Sequence, residues 1–199
     1  MHCQSWEMSS QAPVKVKVIL VGSSGSGKTS VHTVHQQKEF PTTRASHVWE
    51  HPPHLQDTED GCVEASVWDT RDYEEQLRRI LYAHPPTHAV LICFSVVEKK
   101  SLAAVENKWL PEIWDNCKCQ FVLVGCKTDL RSEKDDSTIV TEEEGMKLAR
   151  KLGAFGYVEC SAKDNKGVTE VFQLALKAAL QTLEESKTED SKLKGCFCQ

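Results

Sequence analysis

Apolar residues along this chain gather into short runs, and the segments between the runs carry a helical period. VKVKVILV (Val14–Val21) alternates and then turns continuously apolar, which predicts a strand running into a core. CVEASVW (Cys62–Trp68) alternates throughout and predicts an edge or half-buried strand. HAVLICFSV (His88–Val96), CQFVLVGC (Cys119–Cys126) and the shorter FGYVEC (Phe155–Cys160) suit parallel strands covered on both faces. GVTEVFQLALKAALQTLEE (Gly167–Glu185) sets Val168, Val171, Phe172, Ala175, Ala179 and Leu183 along one helical face. TEEE (Thr141–Glu144) is a capping box that opens a helix through Leu152, which Gly153 ends. This alternation predicts a three-layer α/β fold, a mainly parallel six-stranded sheet with helices on both faces. Ligands of such sheets collect at the carboxyl ends of the strands.

At the first of those ends stands GSSGSGKTS (Gly22–Ser30), which meets the pattern G-x-x-x-x-G-K-[ST] in full. Its glycines allow a nest of inward-pointing N–H groups, and a helix beginning after it adds partial positive charge. The candidate phosphate-binding residues are Gly22, Gly25, Ser26, Gly27, Lys28, Thr29 and Ser30. Lys28 is expected to reach the β- and γ-phosphates, and the Thr29 hydroxyl to hold Mg²⁺.

Composition narrows the choice of partner. The 199 residues suit one domain with tails: an extension over 1–13, a domain over 14–184 and a flexible tail over 185–199. A formal net charge of −5 argues against nucleic acid. No signal peptide or apolar run of membrane-spanning length is present, so the nine cysteines are expected mainly as free thiols in a reducing compartment. Cys117 and Cys119 form C-x-C without the second pair that a zinc site needs. His47, His51 and His54, set around Pro52 and Pro53, read as a solvated loop.

Three further strand ends carry chemistry. Asp69 in WDT is placed to hold Mg²⁺ through water beside Thr29. Asp129 in VGCKTDL offers a carboxylate able to accept two hydrogen bonds from guanine, with the Lys127 stem over the base. ECSAK (Glu159–Lys163) offers a backbone N–H to the guanine oxygen, with Lys163 on the other face of the base.

With these motifs in this order, the chain resembles the Ras superfamily of small GTPases over roughly Val14 to Leu183. KWLPEIW (Lys108–Trp114), LICFSV and VGCKTDLR resemble its Rho branch, and Cys126 resembles the atypical Rnd-type members. The resemblance implies binding of GTP and GDP with Mg²⁺, exchange factors, and effectors that read two switch segments. It assigns the guanine to Asp129, Lys127, Ser161, Ala162 and Lys163. It also implies a monomer, cytoplasmic and peripheral on the inner plasma membrane or on endomembranes, acting on actin organisation or vesicle traffic. The end, Cys196-Phe197-Cys198-Gln199, fits C-a-a-X with farnesyl on Cys196, backed by a thin basic segment of Lys187, Lys192 and Lys194.

The departures matter as much. Where the family reads D-T-A-G-Q-E, this chain has Asp69-Thr70-Arg71-Asp72-Tyr73-Glu74. Asp72 brings negative charge to a terminal phosphate, and the Tyr73 phenol does not replace an amide that orients water. Ser24 also stands at a usual Gly position. An ungapped count sets His47 at the switch threonine, whereas PTT (Pro41–Thr43) offers Thr42 or Thr43 about five residues early. Both alignments stand. RSEKDDSTIV after Leu130 is too short for the extra Rho helix. The expectation is a switch with weak hydrolysis and no confident catalytic residue. The competing expectations are a nucleotide-insensitive adaptor and, more remotely, a P-loop kinase of a small molecule.

Overall fold

A computed structural model describes residues 12–41, 53–58, 61–71, 74–133 and 137–196. The switch candidates Thr42, Thr43 and His47, together with His51, Asp72, Tyr73, the extension over 1–11 and residues 197–199, lie outside the described residues. The elements run β1 (Val14–Val21), α1 (Lys28–Gln37), β2 (His54–Thr58), β3 (Gly61–Asp69), α2 (Glu75–Ala83) and β4 (Ala89–Ser95). They continue with α3 (Lys99–Ala104), a π-helical turn (Val105–Trp109), α4 (Leu110–Asn116), β5 (Gln120–Cys126), α5 (Glu142–Leu152), β6 (Gly156–Cys160) and α6 (Val168–Cys196).

The strands form one six-stranded sheet in the order β2-β3-β1-β4-β5-β6. All neighbours are parallel except β2, which pairs antiparallel with β3. Every residue of β4 is buried, as its continuous apolar run requires of a strand covered on both faces. Successive side chains of β1 point to opposite faces. Val18 and Leu20 therefore pack with Val31 and Val34 of α1 and Phe172, Ala175 and Ala179 of α6. Ile19 and Val21 pack with Tyr82, Trp109, Ile113 and Ala149 on the other side. Each such fully buried aliphatic side chain contributes about 1.5–3 kcal/mol.

One open reading of the sequence is decided and one is corrected. β3 is half-buried but is not an edge, because β2 covers it through the register Leu55↔Glu64. His54, expected in a solvated loop, opens that covering strand opposite Ala65. Leu55 remains 45% exposed, so that apolar position gives no burial signal for the strand.

The helix at Thr141 follows its capping box: the Thr141 hydroxyl accepts from Glu144 N–H, and the Glu144 carboxylate accepts from Thr141 N–H. α6 buries Val168, Val171, Phe172, Ala175 and Ala179. Its positions 184–188 are exposed, yet the backbone stays helical to Cys196 where composition leads one to expect a flexible tail. After β5, residues Thr128–Glu133 form a 3₁₀ segment.

Candidate nucleotide site

The loop between β1 and α1 turns tightly because two of its glycines adopt conformations closed to other residues. Gly22 has φ +144°, and a Cβ there would strike the Cys93 carbonyl oxygen of β4. Gly27 has φ +107°, with Cys126 packed where a Cβ would point. Ser26 N–H donates to the Ser23 carbonyl at 3.0 Å, closing the turn. Lys28, 4% exposed, donates from Nζ to the same carbonyl at 3.2 Å. Its ammonium is thereby held over the loop at the start of α1, where helix N–H groups and the dipole already favour an anion. Thr29 and Ser30 follow in the first helical turn.

A cavity of about 210 Å³ opens beside this loop, lined by Gly27, Ser30, Phe40, Lys127, Asp129 and Lys163 among others. Besides Phe40, it joins three segments far apart in sequence, each following the carboxyl end of a parallel strand. Asp129 sits in the 3₁₀ turn after β5, and its Oδ1 accepts from Ser161 Oγ at 2.7 Å. Ser161 Oγ in turn accepts from Asp164 N–H at 3.0 Å, so the hydroxyl proton is committed to Asp129. The carboxylate is thus oriented by the segment that carries Ala162 and Lys163. Lys127 reaches the cavity from a left-handed backbone, φ +66°.

Two features of this wall have no counterpart in the reading of motifs. Arg131 donates to both oxygens of Glu159, at 2.8 and 2.6 Å, and Tyr157 donates to Glu159 Oε1 at 2.6 Å. This clamp binds the turn of VGCKTDLR to the strand of ECSAK. It raises the Arg131 pKa through the Glu159 hydrogen bond, and desolvation raises that of Tyr157. The second is Phe40, 45% exposed on the cavity rim. A lone aromatic after α1 was its only signal. Cys126 forms part of the floor: hydrogen bonds with Cys160 and Cys93, together with burial, push its thiol well above the usual range. That floor is neutral.

Asp69 ends β3 at 2% exposure. Its Oδ1 accepts from Arg71 N–H at 3.0 Å, while Oδ2 lies 3.5 Å from Arg71 Nε without a hydrogen bond among the described residues. Arg71 itself has φ +41°, a conformation uncommon for a residue with a side chain. A buried carboxylate at the strand end, with the Thr29 hydroxyl in the first turn of α1, is a donor set of hard oxygens that suits Mg²⁺.

Behind the site, a buried cluster fixes α2 against α4. Arg78 donates from Nε and its terminal nitrogen to Glu112 at 2.7 and 2.6 Å, and Tyr82 donates to Glu112 at 3.1 Å. Burial pushes the Tyr82 phenol up, and the Glu112 hydrogen bond raises Arg78. The Arg78 guanidinium stacks 5.0 Å from the Trp109 ring, whose Nε1 donates to Ser23 Oγ at 3.4 Å. A continuous chain of contacts therefore joins α2 to the phosphate-type loop.

A Gly-rich loop at the end of β1 and a polar cavity across the adjoining strand ends define a P-loop α/β domain. The Ras family profile matches residues 17–181. The chain is similar to GTP-binding protein rho3 of Schizosaccharomyces pombe, 39% identical over 179 residues covering 86% of each chain. It is also similar to GTP-binding proteins rho5 and rho1 of that organism. These are 37% identical over 189 residues (89% of this chain, 94% of the relative) and 39% over 175 residues (82% and 86%). The chain belongs to the Ras family of small GTPases, in its Rho branch. Binding of GTP and GDP with Mg²⁺ is a general property of that family, and the chain is a signalling switch of the Rho type. No described helix is long and apolar enough to cross a membrane.

Proposed function

We propose that this protein is a slow-turnover Rho-type switch that holds guanine nucleotide at the carboxyl ends of β1, β5 and β6. In this reading Gly22, Gly25, Ser26, Gly27, Lys28, Thr29 and Ser30 hold the phosphates. Lys127, Asp129, Ser161, Ala162 and Lys163 hold the base. Thr29, and Asp69 through water, hold Mg²⁺, which when bound neutralises phosphate charge. The observation that carries the reading is the shared cavity: Asp129, locked by Ser161, and Gly27 at the end of the glycine-rich loop line one opening. An oriented carboxylate accepts paired N–H donors of guanine, and adenine lacks that pair.

Turnover is slow in this reading because the residues after Asp69 are the wrong chemistry. Asp72 sets a negative charge where a backbone N–H would meet the terminal phosphate, and Tyr73 stands in place of an amide. Each tenfold loss of rate is about 1.4 kcal/mol of barrier. Rho-type effectors and exchange factors are its partners, and a farnesylated Cys196 attaches it reversibly to membranes, since one prenyl chain binds weakly.

A second reading, a nucleotide-insensitive adaptor, is favoured by one observation: Arg71 already engages the Asp69 carboxylate. One experiment separates the two. The purified full chain is assayed for bound nucleotide, for single-turnover GTP hydrolysis with Mg²⁺, and for hydrogen exchange of its switch segments with GDP or a GTP analogue. Bound guanine nucleotide, slow hydrolysis and nucleotide-dependent exchange support the switch. Identical exchange in both forms supports the adaptor, fast hydrolysis rejects slow turnover, and no affinity for GTP or GDP rejects the switch.

A further inference from the structure

We propose that Cys117 and Cys119 form a thiol–disulfide exchange site that closes an internal disulfide against a small disulfide of the glutathione class. The site lies between α4 and β5, at the end of the sheet opposite the nucleotide cavity. Cys117 ends α4 with φ −148° and ψ 145°, an extended backbone. In extended chain, residues two apart share a face, so C-x-C turns both thiols to one side. Their sulfurs stand 3.3 Å apart in a thiol–thiol hydrogen bond. Both are free and partly exposed, whereas Cys93, Cys126 and Cys160 are buried. Lys118 between them faces solvent. Among the described residues no group of three or more metal-ligating side chains occurs, and within them the pair stands as a dithiol.

The chemistry balances. The Cys117 thiol releases its proton and its sulfur attacks one sulfur of the small disulfide, expelling a thiolate and leaving a mixed disulfide. Cys119 then loses its proton and displaces the second small thiolate, forming the Cys117–Cys119 bond. Two protein S–H groups are oxidised, and one disulfide is reduced to two thiols. The hydrogen bond to Cys117 and burial push the Cys119 thiol above its usual range, and the same two displacements balance from either cysteine. A disulfide is about 2.0 Å long, so little movement separates the pair from bonding distance. Closing a ring over one intervening residue removes little chain entropy, and such a tight bond is readily reversed. The bond would act on a structural seam. Cys117 N–H caps α4 on the Ile113 carbonyl at 2.8 Å, and Gln120 N–H donates to Thr182 of α6 at 3.0 Å.

The test equilibrates the full chain in mixtures of reduced and oxidised glutathione, quenches with acid, alkylates free thiols and maps the peptides by mass. The segment holding Cys117 and Cys119 is expected to become lighter by two hydrogens, to resist alkylation, and to revert in excess reduced glutathione. Phenylarsine oxide, a probe of paired thiols, is expected to bind before oxidation and not after. In Cys117→Ser and Cys119→Ser, checked for folding by circular dichroism, the internal bond is lost and the remaining thiol takes up only a mixed disulfide. Separate mixed disulfides on both cysteines of the wild type, or free thiols in excess oxidised glutathione, overturn the proposal.

Discussion

Arg71 folds back onto Asp69: its N–H donates to Oδ1 at 3.0 Å and its Nε stands 3.5 Å from Oδ2. The carboxylate assigned here to a Mg²⁺-bound water therefore has a resident cation of its own. Substituting Arg71→Ala removes that competitor. The Mg²⁺ concentration that half-protects bound nucleotide against release is expected to fall about tenfold, worth about 1.4 kcal/mol. Release of a fluorescent guanine nucleotide across a Mg²⁺ series measures it, and an unchanged midpoint counts against competition at Asp69.

Asp129 tests the base assignment. Its Oδ1 is held by Ser161, and the residue lines the cavity. Asp129→Asn replaces one acceptor by a donor, and a site built around a hydrogen-bond pair then rejects its ligand strongly. Guanine nucleotide affinity should drop by about a hundredfold or more. Xanthine nucleotide, which presents an acceptor instead, should lose far less in parallel titrations.

The Arg78–Glu112 pair is only 6% exposed on each side chain. Removing one partner of such a pair leaves a buried charge, so Arg78→Ala is expected to lower stability by about 3 kcal/mol. Replacing both, Arg78→Met with Glu112→Leu, should cost less than either single change. Urea unfolding of Arg78→Met, Glu112→Leu, the double variant and the wild type closes the cycle, with Arg78→Ala measured beside it.

His88 gives a pH dependence of known sign. Its Nδ1 accepts from the Lys17 backbone N–H at 2.9 Å, and burial, then the Lys17 ammonium, push its pKa below the usual range. The unfolded chain then binds this proton at a higher pH than the folded one does. The stabilisation is present above the ordinary value near pH 6.5, and it is lost as pH falls from there toward the folded pKa. Thermal unfolding from pH 7.5 to 5 should show a decline that His88→Asn flattens.

The sheet could be read from the chain because its inner strands are covered on both faces, and burial leaves long apolar runs such as AVLICFS. The capping box at Thr141 and the glycine stop at Gly153 were equally plain, being local chemistry. β2 was not readable, since an edge strand held by backbone pairing needs no apolar pattern. The loop at Gly22–Ser30 and the segments around Asp129 and Ala162 stood out because each is a short motif at a strand end. What joins them did not. Arg131 with Glu159 and Arg78 with Glu112 are pairs 28 and 34 residues apart, and only the fold brings such charges together. Arg71 was visible as a departure, but its turn onto Asp69 depends on a left-handed backbone that no residue type announces.

The long final helix has a mechanical consequence. From Leu183, which packs partly buried against the core, to Cys196 the backbone rises about 1.5 Å per residue, or about 20 Å in all. A lipid on that cysteine would hold the globular head on a stiff stalk, at a standoff set by helix length. Lengthening or bending the stalk would then change how far the nucleotide pocket sits from the bilayer while leaving its chemistry untouched.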